Sequence, residues 1–239
     1  MEPLLMKPLL LKLTRAGMDL LFPMQCAGCR REGGILCVEC TEGLARLSTP
    51  YCGLCASPNT LSPCRTCRTC RESPLDVDAI RAPYLMEGAI KEAVHVFKYR
   101  GVRAAAPELG RLLAHYWAGH PMPVDVIVPV PLHPRRLRSR GYNQSALLGR
   151  ELANLTGLAM AGDLLARTKD ATPQTGTASR GQRRSNVEGS FRCSQEVAGQ
   201  KVLLVDDVAT SGSTLSACAA ALKAAGAGSV WGLALAREG

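Results

Sequence analysis

The segment KVLLVDDVATSGST, residues 201–214, runs four apolar residues into two adjacent aspartates, Asp206 and Asp207, and then into hydroxyl side chains around a single glycine. Val202, Leu203, Leu204 and Val205 are the continuous apolar run expected of a parallel strand buried on both faces, which places the carboxylates where it emerges. Beyond them the chain must turn into a helix. Backbone N–H groups of that turn, the hydroxyls of Thr210, Ser211, Ser213 and Thr214, and the positive end of the helix dipole then converge on one concavity suited to a phosphate monoester. Gly212 lets the backbone approach an anion with no side chain in the way. Two carboxylates beside a phosphate repel it unless they reach neutral hydroxyls or share a magnesium ion. A ribose with free 2′ and 3′ hydroxyls and a 5-phosphate meets these conditions. The local alternatives are a strand end with a capped helix start, a phosphoacceptor aspartate, and the magnesium-holding strand of a nucleotide hydrolase. No G-x-x-x-x-G-K-[ST] loop occurs, which counts against the last.

The cysteines carry a second chemistry. Of eleven, nine fall within residues 26–70, and only Cys193 and Cys218 lie beyond. Cys26-x2-Cys29-x7-Cys37-x2-Cys40 reads as two knuckles that present four thiolates to one tetrahedral zinc, and the paired spacing sets them apart from merely buried thiols. Cys52-x2-Cys55 is followed by Cys64, Cys67 and Cys70, one more than a second site needs. Spacing leaves Cys64 or Cys70 as the last ligand; the second site is assigned to Cys52, Cys55, Cys67 and Cys70. Four thiolates leave no open position for a metal-bound water, so the zinc is structural and supplies folding free energy that so little apolar surface cannot.

These groups need elements to hold them. At 239 residues the chain has room for a sizeable core and an accessory module. Residues 1–24 read as an amphipathic helix, since Lys7, Lys12 and Arg15 interrupt its apolar run. They match neither a signal peptide nor a membrane span. With metal-style cysteines and no export signal, the expected location is the cytoplasm. Residues 25–75 form the cysteine module and residues 76–239 an α/β domain with a largely parallel sheet flanked by helices. Strands are expected at AIRAPYL, VDVIVPV, KVLLVDDV and SVWGLALA. Helices are expected at AIKEAVHVFKY, PELGRLLAHYW, NQSALLGRELANLTG and STLSACAAALKAAG, the last stopped by Gly226. Ligands of such sheets sit beyond the carboxyl ends of the strands. The net charge of +9 suggests a polyanion partner, but two loaded four-thiolate zinc sites, formally minus two each, bring it to +5. Residues 1–75 hold nine Lys and Arg against six Asp and Glu, so charge gives that module no mandate to bind nucleic acid.

The stretch from Asp206 to Thr214 resembles the phosphoribosyl-diphosphate motif of type I phosphoribosyltransferases. VPVPLHPRRLRSRGYNQ (residues 128–144), FKYRG (97–101), PQTG, RRSNVEGSF and the leading cysteines together resemble the ComF family of competence-associated proteins. The resemblance implies a type I phosphoribosyltransferase-like fold behind a double zinc ribbon. It implies that Asp206 and Asp207 take the ribose hydroxyls and that Thr210, Ser211, Gly212, Ser213 and Thr214 take the 5-phosphate of 5-phosphoribosyl 1-diphosphate, with magnesium. Lys98 of FKYRG joins the substrate-binding set. Arg135, Arg136, Arg138 and Arg140 have the forked donors to meet a diphosphate; a solvated basic loop is the plain alternative. Residues 167–191 suit a lid over a charged ligand or an ordinary surface loop, and His133 suits proton transfer or positioning. Three functions stay open: ribosyl transfer to an unidentified acceptor, a phosphoribosyl-diphosphate sensor, and an accessory of DNA uptake that binds single-stranded DNA or other uptake proteins.

Overall fold

The apolar runs and helix-period stretches after residue 76 close into one parallel sheet with helices on both faces. The computed structural model describes residues 24–58, 66–99, 102–169 and 189–239. Two short helices, α1 (Val38–Glu42) and α2 (Arg68–Glu72), each close a cysteine knuckle. The larger domain follows as β1 (Ala79–Arg81), β2 (Tyr84–Leu85), α3 (Gly88–Tyr99), α4 (Ala106–Gly119), β3 (Val126–Pro129), α5 (Pro134–Arg140), α6 (Gln144–Thr156), β4 (Ala159–Met160), β5 (Leu165–Arg167), β6 (Phe191–Cys193), β7 (Lys201–Ala209), α7 (Ser213–Ala224) and β8 (Ser229–Arg237).

The main sheet runs β1-β8-β7-β3-β4, with β2 also on β8, and every pairing in it is parallel. The period-2 pattern of the strands sorts their side chains between two cores. Ile127, Leu203, Val205 and Leu233 pack on one face with α3, α4 and α6 through Ile90, Phe97, Leu109 and Leu148. Val128, Val202, Leu204 and Val230 pack on the other with Leu215, Cys218 and Leu222 of α7. The chain leaves β3 through α6 toward β4 and leaves β7 through α7 toward β8, so the two crossovers depart in opposite directions. That divergence opens a crevice between β3 and β7, the place where open α/β sheets receive ligands.

Several expectations need correction. AIRAPYL is two strands, because Pro83 cannot donate to the ladder and divides β1 from β2. Asp206 and Asp207 lie inside β7, as the strand expected at KVLLVDDV has them, and β7 continues one residue further, to Ala209, so the carboxylates stand before its end. The arginines after β3 lie on a helix, α5: His133 caps its start by accepting from the Arg135 N–H at 3.3 Å, and Gly141 ends it at φ +80°. The antiparallel pair β5–β6, with Arg167 opposite Phe191, was not anticipated; it joins the two ends of the stretch read as a lid. Residues 170–188 of that stretch, residues 1–23 of the helix expected over residues 1–24, Cys64, Arg100 and Gly101 lie outside the described residues. Among the described residues no helix is long and apolar enough to cross a membrane.

Candidate functional site

The crevice is built by a difference in strand length. The β3–β7 ladder ends at Pro129 opposite Val205, while β7 runs on against β8 to Ala209 opposite Arg237. From Asp206 onward, therefore, one side of β7 has no strand beside it. Adjacent strand residues point to opposite faces, and the two carboxylates meet different partners. Asp207, buried, faces α3 and forms an ion pair with Lys98 at 2.9 Å. Burial works against the Lys98 ammonium, yet the facing Asp207 charge outweighs it and raises its pKa. Asp206 accepts from the Ser145 hydroxyl at 2.9 Å and from the Asp207 N–H at 2.9 Å. Burial, and then the charge of Asp207, push the Asp206 carboxyl up to about 7 against the pull of Lys98 and Ser145. Asp206 thus lies close to its titration point at neutral pH, a state poised to change when a polar or cationic ligand arrives.

The turn after β7 is held tightly. Gly212 takes φ +78° at the start of α7, and a Cβ there would come within 2.8 Å of Ile80 Cδ1. Only glycine fits both the left-handed backbone and that contact. The Ser211 and Ser213 hydroxyls are 2.8 Å apart, and the Ser213 N–H donates to Ser211 Oγ at 3.3 Å. Thr210 is exposed and Thr214 half-buried. The N-terminal amides of the twelve-residue α7 open beside the carboxylates, the electrostatics an anion requires.

Helical geometry divides the four arginines of α5. Arg136 and Arg140 share one face and are half-buried, with Arg140 stacked 5.3 Å from the Tyr99 ring centre; Arg135 and Arg138 share the other and are exposed. Four forks on one ligand, as a loop would allow, is not the observed arrangement. Sequence reasoning missed Ser145. It follows the capping residue Asn143, whose side chain accepts from the Ser145 N–H at 3.1 Å and donates to the Val130 carbonyl at 3.0 Å. An Asn at a helix start was visible in GYNQS, but its consequence for Asp206 was not.

The structure gathers Cys26, Cys29, Cys37 and Cys40 into one group and Cys52, Cys55, Cys67 and Cys70 into another, with all sulfurs of a group within 4.8 Å of one another. The Cys37 N–H donates to Cys26 Sγ at 3.3 Å and the Cys67 N–H to Cys52 Sγ at 3.2 Å, as thiolate ligands need. Burial would push the Cys26 thiol up, but backbone donors from Cys29, Cys37 and Gly28 outweigh it and bring it to about 6. Hydrogen bonds with Cys26 and Cys37 push Cys40 up to about 12. Four thiols so close cannot ionise independently, and a divalent metal resolves the conflict; the donor set fits structural zinc in both groups.

Residues 17–71 match the double zinc ribbon domain and residues 143–237 the phosphoribosyl transferase domain. DNA utilization protein YhgH of Salmonella typhi is 33% identical over 82% of this chain and 87% of its own. Competence protein F of Haemophilus influenzae is 31% identical over 89% of this chain and 97% of its own. A solved glutamine phosphoribosylpyrophosphate amidotransferase of B. subtilis, complexed with ADP and GMP, overlaps 55% of this chain and 26% of its own at 24% identity and a TM-score of 0.38. Agreement along nearly the full length of these curated relatives makes the chain a member of the ComF family, competence-associated proteins of phosphoribosyltransferase fold.

Proposed function

We propose that this protein binds 5-phosphoribosyl 1-diphosphate in the β3–β7 crevice and transfers its ribosyl group to a nitrogen acceptor. The observation that carries the reading is the overhang of β7: two carboxylates and a glycine-pinned, hydroxyl-lined turn stand where the neighbouring strand has ended. The turn from Thr210 to Thr214 holds the 5-phosphate. Asp206 and Asp207 hold the ribose hydroxyls, Ser145 orients Asp206, and Lys98 exchanges Asp207 for the ligand's charge. Arg135 and Arg138, the exposed pair of α5, meet the diphosphate and stabilise the charge it gathers as the bond to C1 lengthens toward an oxocarbenium-like carbon. Magnesium, for which the carboxylate pair and a diphosphate are suitable oxygen donors, would supply further neutralisation of the leaving group.

Titration calorimetry with magnesium and the sugar diphosphate tests this. The ionised Asp206 serves a cation-bearing ligand best, so affinity should rise about tenfold from pH 6 to pH 8 as a group near 7 loses its proton, and Asp206→Asn should flatten the profile. No binding at either pH defeats the reading. For stability the sign is opposite: a carboxyl raised above its unfolded value costs native stability progressively as pH climbs from about 4 to 7. Release of diphosphate across candidate bases then separates turnover from sensing.

A second reading has its own observation. Tyr99, 67% exposed, lies under Arg140 beside the basic helix α5, which combines a stacking surface with charge. If single-stranded DNA binds there, log affinity falls steeply with log salt, and Arg135→Ala with Arg136→Ala reduces the slope by about 1.4. A salt-independent response excludes it.

A further inference from the structure

Arg237, at the end of β8, is a buried charge with no carboxylate partner: it is 5% exposed and forms no ion pair among the described residues. Its Nε donates to the Cys55 carbonyl at 2.9 Å, and its Nη1 donates to the Ala209 carbonyl at 3.1 Å and to the Glu238 carbonyl. Cys55 belongs to the second cysteine group, and Ala209 is the last residue of β7 before the candidate phosphate turn. One guanidinium thus spans the metal knuckle and the turn.

The knuckle is held along its whole length by the larger domain. The carbonyl of Gly53 accepts from Arg81 Nη1 at 2.8 Å, that of Leu54 from the Ile80 N–H at 2.7 Å, and that of Cys55 from Arg237. Ile80 also supplies the methyl that closes on Gly212. Two routes therefore lead from the second cysteine group to the turn, through Arg237 to Ala209 and through Ile80 to Gly212. The first group docks elsewhere, through Ile35 in the α3–α4 core and the Leu36 N–H on Glu108 of α4 at 3.1 Å. Electrostatics agrees with the geometry. A buried guanidinium is costly without a counter-charge, and four thiolates on zinc, formally minus two, set one beside it.

We propose that Arg237 is a positioning residue that couples zinc in the second site to the shape of the candidate phosphate turn. With metal bound, the knuckle carbonyls stand where the guanidinium can bridge them to Ala209; as the metal leaves, the bridge and the turn loosen together. Linkage makes the effect reciprocal, so a ligand that orders the turn tightens zinc in the second site and not in the first. Only this ligand arm rests on the function proposed above.

The test begins with wild-type protein and a graded chelator, reading hydrogen exchange at residues 209–214 against thiol labelling of each cysteine group. Exchange there should rise about tenfold or more as Cys52, Cys55, Cys67 and Cys70 become labelled, not as the first group does, with residues 126–129 unmoved. Arg237→Gln should weaken second-site zinc by about tenfold or more and leave the first unchanged, with Arg237→Lys intermediate. Exchange that stays flat as the second site empties overturns the coupling, as does wild-type zinc affinity in Arg237→Gln. If Arg237→Gln does not fold, the chelation series decides alone. Magnesium with the sugar diphosphate should raise zinc affinity in the second site only. Should that ligand fail to bind while exchange still follows zinc, the coupling stands and the proposed function falls.

Discussion

Cys52→Ser should leave one zinc per chain instead of two and melt the second knuckle, while Cys26→Ser should empty the first site and spare the second. Cys52, Cys55 and Cys70 are buried against little beyond Leu54, Cys67 and Leu75. That is too small a core to hold a fold on hydrophobic burial, at roughly 25 cal/mol per Å² of apolar surface. Structural zinc contributes about 10 kcal/mol or more in comparable small sites, as much as many whole domains hold in reserve. The change should therefore be loss of structure, not a shift in midpoint. Zinc counting by mass spectrometry and hydrogen exchange over residues 66–72 check it. Two zincs retained in Cys52→Ser would show that the assigned ligands do not hold the metal.

Asp207→Ala should act twice. Removing the carboxylate strands Lys98, whose side chain is only 22% exposed. Breaking such a pair from one side costs about 3 kcal/mol, toward the lower end of the buried range because Lys98 keeps some solvent. Binding of the sugar diphosphate should fall by about a hundredfold or more, since one of two ribose contacts is lost, and each factor of ten is about 1.4 kcal/mol. The two effects separate in the double variant Lys98→Met with Asp207→Ala, which removes both charges. Denaturant midpoints should recover much of the stability while calorimetry still finds weak binding. Unchanged binding in Asp207→Ala would remove the carboxylate from the site, whatever its effect on stability.

These two outcomes rest on features that differ in how far they could be read from the chain. Local patterns were legible: the paired cysteine spacings, the apolar run of β7, the acidic pair and the glycine-bearing turn. Each depends on neighbours a few residues apart, where backbone period, turn chemistry and ligand spacing act directly. The helical periods of α3, α4, α6 and α7 were equally local, and those elements stand close to where they were placed. Even so, α5 was missed, because seven residues, four of them arginines, carry almost no apolar period to announce a helix. The break at Pro83 and the pair β5–β6 were missed because strands of two or three residues are below what periodicity can resolve.

By itself, then, the sequence determined which residue types stand together at the end of β7 and which cysteines recur in pairs. Only the tertiary structure decided what each of those groups faces. Ser145 reaches Asp206 across 61 residues, and Arg237 reaches Cys55 across 182 and Ala209 across 28. Such pairings depend on strand order and on where β3 stops, and a buried charge takes its partner from whatever the packed sheet brings within hydrogen-bond reach, a choice that no local period encodes.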